Sequence, residues 1–197
     1  LTLYGGEVLE SQTKTKLTVE QQDILVGAAF GSHVKIIQST ELTGGYFNAA
    51  YDLLLSDGRA TILKISPSDE TDTLSYEHDI MATEVAAMQL MKSKGTVPVP
   101  EVYAYDNSRN LISSDFFFME KIIGQPYNEI KEELSPQQRS CIEEELGRYS
   151  RIINEIQGDH FGLFNVSSKI KGTSWRETFQ NLIGNLLDDA RRLDAKM

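Results

Sequence analysis

The chain has 197 residues, 40% of them hydrophobic and 24% charged, the balance of an ordinary globular protein. Its formal net charge of -10 opposes a nucleic-acid phosphate track, which needs clustered Lys and Arg, and suits either plain solubility or attraction of a cationic small molecule. No run reaches the roughly 18 apolar residues that span a bilayer, Leu1 to Lys16 lacks a basic-then-apolar signal, and Cys141, the single cysteine, permits no internal disulfide, so the expectation is a cytoplasmic protein that binds neither nucleic acid nor membrane.

In chain order, Thr18-Val19-Glu20-Gln21 is a capping-box start, and Ile24, Leu25, Ala28 and Ala29 continue it as a short amphipathic helix ending near Gly31. Val34 to Leu42 reads as a strand, Gly44-Gly45 as a turn, and Ala49 to Leu55 as a second strand with Tyr51, Leu53 and Leu55 on one face. Asp57-Gly58 is a two-residue hairpin signal, and Ala60 to Ile65 is the returning strand. A polar stretch from Asp69 to Ser75 leads to a helical period over Tyr76 to Lys94, with Ile80, Met81, Ala87, Met88 and Met91 on one side.

Val97-Pro98-Val99-Pro100 is an extended connector. Glu101–Tyr105 and Asp115–Lys121 read as two further strands, and Gly124 and Pro126 break the pattern. Ser135-Pro136-Gln137-Gln138 combines an N-cap, a Pro at the first helical position and a Gln at the third. Ile142, Leu146, Tyr149, Ile153 and Ile156 then form a helical stripe, with Gly158 as the expected stop. A last helix opens at Ser174-Trp175, with Phe179, Leu182, Ile183, Leu186 and Ala190 expected on its buried face. Strands followed by helices predict an α+β chain with a boundary between Ile122 and Pro126.

Two charges stand out against this background. Lys64 lies inside the β-rich run Thr61-Ile62-Leu63-Lys64-Ile65; Ile62, Lys64 and Ser66 form either a wet face or a face with a task. Glu84 falls at about 40° on a helical wheel counted from Ile80, between Met91 at about 20° and Met88 at about 80°. An acid among apolar neighbours is costly unless paired. Glu77, at about 60°, is the second candidate partner for Lys64, although acids are favoured near a helix start in any case. The glycines of Gly44-Gly45-Tyr46-Phe47-Asn48 let backbone N–H groups approach phosphate oxygens, or simply serve the turn.

The series Gly44-Gly45-Tyr46-Phe47-Asn48-Ala49-Ala50-Tyr51, then Ile62-Leu63-Lys64, then Glu84 with Val97-Pro98-Val99-Pro100, then Phe118-Met119-Glu120 with Gly124-Gln125-Pro126, resembles the aminoglycoside phosphotransferase and choline kinase-like family over roughly residues 35–190. The resemblance implies a protein-kinase-like fold. Residues 1–122 would be an ATP-binding lobe with a leader helix and a five-stranded antiparallel sheet carrying one inserted helix, and residues 123–197 the start of a helical lobe. It implies a kinase, a transferase that moves the γ-phosphoryl group of ATP (or GTP), with Mg2+, to a hydroxyl of a small and possibly cationic molecule. Gly45, Tyr46, Phe47 and Asn48 would cover the phosphates. Lys64 would contact the α- and β-phosphates, held by Glu84. Phe118 to Ile122 would be the hinge, with Met119 lining the base slot together with Ile37, Ala50 and Ile62, and the backbone of Glu120 and Ile122 facing the adenine.

The family's His-Gly-Asp catalytic loop, with its Asn about five residues on and a further metal-binding Asp, is missing. None of His33, His78 and His160 has an Asp two residues later. Gly158-Asp159-His160 reads as a capping turn, and Asp115-Phe116-Phe117 as strand. The expectation is therefore a nucleotide-binding part without catalytic or metal-binding residues of its own, ending before the catalytic loop; the alternative is a non-catalytic kinase-like binding or regulatory module. Asp188-Asp189 and Glu143-Glu144-Glu145 are expected to be solvated faces, Cys141 to be inert, and Glu129, Glu132 and Glu133 to lie near the cleft.

Overall fold

A computed structural model describes residues 14–43, 45, 47–164 and 170–195. Helix α1 spans Val19–Phe30, strands β1, β2 and β3 span Ile36–Glu41, Ala49–Leu55 and Ala60–Ile65, and helix α2 spans Ile80–Lys94. Strands β4 and β5 follow at Val102–Asp106 and Phe116–Glu120, then helices α3 at Tyr127–Ile130 and α4 at Pro136–Asn154. A small hairpin, β6 at Phe161–Gly162 with β7 at Lys171–Gly172, precedes helix α5 at Trp175–Arg192. This is the α+β order expected from the sequence, five strands with one helix inserted after the third and then helices, except for the β6–β7 hairpin between α4 and α5, where only helices were expected.

The five strands form one antiparallel sheet in the order β1-β2-β3-β5-β4. The β2–β3 hairpin turns at Gly58, whose φ of 86° lies in the left-handed region that glycine enters without strain. Packing contacts divide the protein into two compact units, one made of residues up to Asp72 with Val102–Lys121, the other of Thr73–Glu101 with the residues from Ile122 onward.

In the first unit the core lies between α1 and one face of the sheet. Leu25 and Val26 of α1 and Val34 pack with Ala49, Tyr51, Leu53 and Leu55 of β2, Leu63 and Ile65 of β3, and Phe116 and Phe118 of β5. Phe30 meets Phe118 edge-on at 5.0 Å between ring centroids, a favoured aromatic geometry. Polar ties fix the helix to the sheet: the Ile36 N–H donates to Asp23 at 3.1 Å, and the Ser39 hydroxyl donates to Gln22 at 2.7 Å. Strand alternation sends Ala50, Asp52, Ile62, Lys64, Phe117 and Met119 to the opposite face.

In the second unit α2 starts later than its sequence suggests. Ser75–Glu77 forms a 3-10 turn, and Asp79 takes a left-handed φ of 58° before the helix begins at Ile80. Glu77 therefore leaves the wheel, and its carboxylate accepts the Leu74 N–H at 2.8 Å. Helix α4 has the predicted capping box, yet none of its residues is buried. Gly158 is not its stop: Glu155 caps it, and Gly158 is not in the left-handed region. The buried residues of α5 are Thr178 and Asp189, whereas Phe179 is 51% exposed and Ile183 and Leu186 are exposed as well. The expected apolar burial gives way to hydrogen bonding. The Thr178 hydroxyl donates to the Phe161 carbonyl at 2.9 Å, and Asp189 accepts the Ser75 N–H and hydroxyl at 2.7 and 2.8 Å.

Candidate functional site

On the sheet face away from α1, Lys64 is half-buried on β3, one residue before the end of that strand, opposite Ala50 of β2 and Phe117 of β5. Its ammonium lies 5.7 Å from the Phe117 ring centroid, within the range in which an aromatic face attracts a cation. Phe117 is fully buried. The tripeptide Phe116-Phe117-Phe118 thus serves two faces, its outer members the core and its middle member the lysine.

One register step toward the end of β5, Ile62 pairs with Met119 and with Asp52. Ala50, Ile62 and Met119, three of the four expected walls of an apolar slot, form a half-buried shelf beside Lys64. Ile37, the fourth, is 65% exposed and sits at the irregularity where the β1–β2 register shifts. Asp52 accepts a hydrogen bond from the Lys121 ammonium at 2.6 Å, a pairing the sequence reading missed because it joins residues 69 positions apart. The Thr61 hydroxyl donates to the Met119 carbonyl at 2.7 Å and so ties the strand end in place. Glu120 is the last residue of β5, and Ile122 lies two positions beyond it, 60% exposed.

The turn between β1 and β2 brings the glycine segment to the same end of the sheet as Lys64. Gly44 and Tyr46 lie outside the described residues. Gly45 is exposed, and a Cβ there would make an ordinary 3.7 Å contact with the Asn48 carbonyl oxygen. Phe47 and Asn48 are half-buried. The Asn48 side-chain oxygen is fully buried and has no hydrogen-bond partner among the described residues.

In the second unit Glu84 is half-buried on α2, whose buried residues are Met81 and Val85. These two lie at about 100° and 140° on the wheel, so Glu84, at about 40°, edges the buried arc and is not at its centre. Glu129 and Glu133 are exposed, and Glu132 lies 3.8 Å from Lys131 and 3.9 Å from Arg139. Asp159 contacts His160 at 2.5 Å, and Asp115 is buried against Arg109 at 2.8 Å. Among the described residues no group of three or more His, Cys, Asp or Glu side chains is arranged to hold a metal ion, and no helix is long and apolar enough to cross a membrane.

The model of the phosphotransferase enzyme family matches residues 39–196, most of the chain. The chain belongs to the phosphotransferase enzyme family. Two curated relatives, subtelomeric hrmA-associated cluster proteins from two strains of Aspergillus fumigatus, are each 33% identical over 86 residues, which is 43% of this chain and 16% of each relative's length. A solved structure from Ralstonia eutropha, a provisionally assigned aminoglycoside phosphotransferase, aligns at 16% identity and a TM-score of 0.42 over 56% of this chain and 29% of that one. This member of the phosphotransferase enzyme family thus spans a minor part of the length of the relatives it matches.

Proposed function

We propose that this chain is the nucleotide-binding part of a kinase that transfers the γ-phosphoryl group of ATP, or GTP, to a hydroxyl of a small molecule. The observation that carries the reading is Lys64, held near the end of β3 over Phe117 and beside the Ala50–Ile62–Met119 shelf, in a chain of the phosphotransferase family. In this reading the base lies against the shelf, the backbone of Glu120 and Ile122 binds its edge, and Gly45 to Asn48 cover the phosphates. Lys64 holds the α- and β-phosphates, and Glu84 is its partner. The functional division at residues 122 and 123, into an ATP-binding lobe and a helical lobe, belongs to the same proposal. Mg2+ would accompany the nucleotide and offset the negative charge of its phosphates. None of the three histidines begins a His-Gly-Asp sequence, so these residues are assigned binding and orientation, not proton transfer.

Replacing Lys64 tests the reading. A charge-assisted hydrogen bond is worth roughly 1.5–3 kcal/mol, so Lys64→Ala should weaken binding of a fluorescent ATP analogue, or slow ATP turnover by the protein, at least about tenfold. Unchanged affinity and turnover would reject the assignment. The Glu84 role is tested separately: a Lys64→Ala, Glu84→Ala double-mutant cycle on ATP affinity should show coupling of about 1 kcal/mol or more, and additive effects would remove Glu84 from the site.

A further inference from the structure

Asp52 sets a carboxylate in the same cross-strand row as the shelf residues Ile62 and Met119. Its partner is Lys121, whose ammonium donates to it at 2.6 Å with both side chains half-buried. β2 and β5 are not neighbours; β3 lies between them. The ammonium therefore reaches across β3, over two strand spacings or about 9.5 Å of sheet. Lys121 itself stands just past the end of the ladder. The β3–β5 register stops at Thr61 opposite Glu120, the last residue of β5, and Ile122 and Ile123 beyond it are exposed. Two side-chain bonds reach this strand end from opposite faces of the sheet. The fully buried Thr61 hydroxyl donates to the Met119 carbonyl at 2.7 Å on the α1 side, and the Lys121–Asp52 pair lies on the open side.

We infer that Asp52 and Lys121 are a positioning pair for base recognition, whose bond holds the backbone around Glu120 and Ile122 ready for the edge of a purine. This rests on the nucleotide reading above and adds to it two residues that do not touch the ligand. A chain segment leaving a sheet opens locally at little cost, and a segment that must be ordered on binding weakens the ligand by that ordering. A tether at Lys121, between the two residues whose backbone meets the base, removes much of this loss in advance. To global stability the pair adds little, because partly exposed ion pairs are worth little; its leverage is local. Asp52 also neutralises Lys121, so the lysine is assigned to the tether and not to the phosphates.

The test is isothermal titration of the full chain with adenosine and with ATP, for wild type, Lys121→Met, Asp52→Asn, the double variant and the exchanged pair Asp52→Lys with Lys121→Asp. Adenosine is uncharged, so a loss of its affinity cannot come from the altered field of a removed charge. Each single variant should weaken adenosine and ATP by the same factor, about three- to fivefold, which is as much as such a pair can supply. The double variant should lose no more than either single one, and the exchanged pair should recover most of the loss. Melting temperatures without ligand should fall by no more than about 4 °C. Wild type that binds neither ligand would defeat the nucleotide reading and this inference with it. Wild type that binds adenosine, with the variants indistinguishable from it, would overturn the inference alone. So would a change for ATP with none for adenosine, which would make the two residues electrostatic partners of the phosphates. Additive losses in the double variant, or a melting temperature lowered by more than about 8 °C, would also overturn it and leave two separate structural contacts.

Discussion

Lys64 and Asp189 show how a charged residue takes its role from its surroundings. A strand lysine is unremarkable when it faces water, but Lys64 is half-buried over an aromatic ring. Its anomaly was visible in the sequence because lysine interrupts an otherwise apolar run. Asp189 was not visible. Adjacent aspartates on a helix read as a wet face, and Asp188 does pair at the surface with Arg191 at 2.7 Å. Asp189, one position on, is buried and accepts two hydrogen bonds from Ser75, 114 residues away. Those bonds, with the Arg192 guanidinium, hold its carboxyl below the usual carboxylate range. A depressed folded-state pKa stabilises the fold above the unfolded value near 3.9, and the contribution fades as pH falls through the lower folded value. Asp189→Asn should therefore unfold at lower denaturant concentration than wild type at neutral pH, with the gap closing below about pH 4. A gap that persists undiminished to pH 2 would show that ionisation of Asp189 is irrelevant to stability.

At the scale of elements, α1 and α5 were legible to different degrees. For α1 the capping box is present in full, with the Gln21 N–H donating to the Thr18 hydroxyl at 3.3 Å and the Thr18 N–H to the Gln21 side chain at 2.9 Å. Neighbouring positions of this helix separate sharply: Leu25 is fully buried against the sheet and Ile24 is 56% exposed. Leu25→Ala should cost about 2–5 kcal/mol by denaturant unfolding, while Ile24→Ala should change stability by less than about 0.5 kcal/mol. Comparable losses at both would contradict this packing. For α5 the existence and span were readable from its cap and periodicity, but not its buried face. Side-chain hydrogen bonds to the β6–β7 hairpin and to the turn at Ser75 select a polar face, and no window of sequence shows where such distant partners will be. The start of α2 was misplaced for a related reason: Tyr76 and Glu77 have helical periodicity, yet a 3-10 turn and the left-handed Asp79 intervene.

For the whole molecule, the phosphoryl transfer and its acceptor both belong to the proposal, and net charge bears on the acceptor. The net charge of -10 favours approach of a cationic alcohol through long-range attraction, an effect screened by salt. With the full-length kinase of that proposal and a panel of amino alcohols, aminoglycosides and neutral sugars, ATP consumption should be fastest for a cationic acceptor, and its kcat/KM should fall as salt rises from about 0.05 to about 0.5 M. A neutral preferred acceptor, or a salt-independent rate, would sever the link between charge and substrate.

By itself the sequence determined the five strands, the inserted helix, the hairpin turn at Gly58 and the lysine that breaks the apolar pattern of β3, because strand alternation, helix caps and turn glycines act over a few residues. The resemblance carried by Gly45, Lys64, Glu84 and Met119-Glu120 pointed to the family on the same local evidence. The tertiary structure alone decided which sheet face α1 covers, which residue lies beneath Lys64, that Asp52 meets Lys121, that Asp189 is buried, and that the Asn48 oxygen lacks a partner. Each of these depends on burial or on contact between distant segments, and a buried group's energy is set by what surrounds it in space, not by its neighbours along the chain.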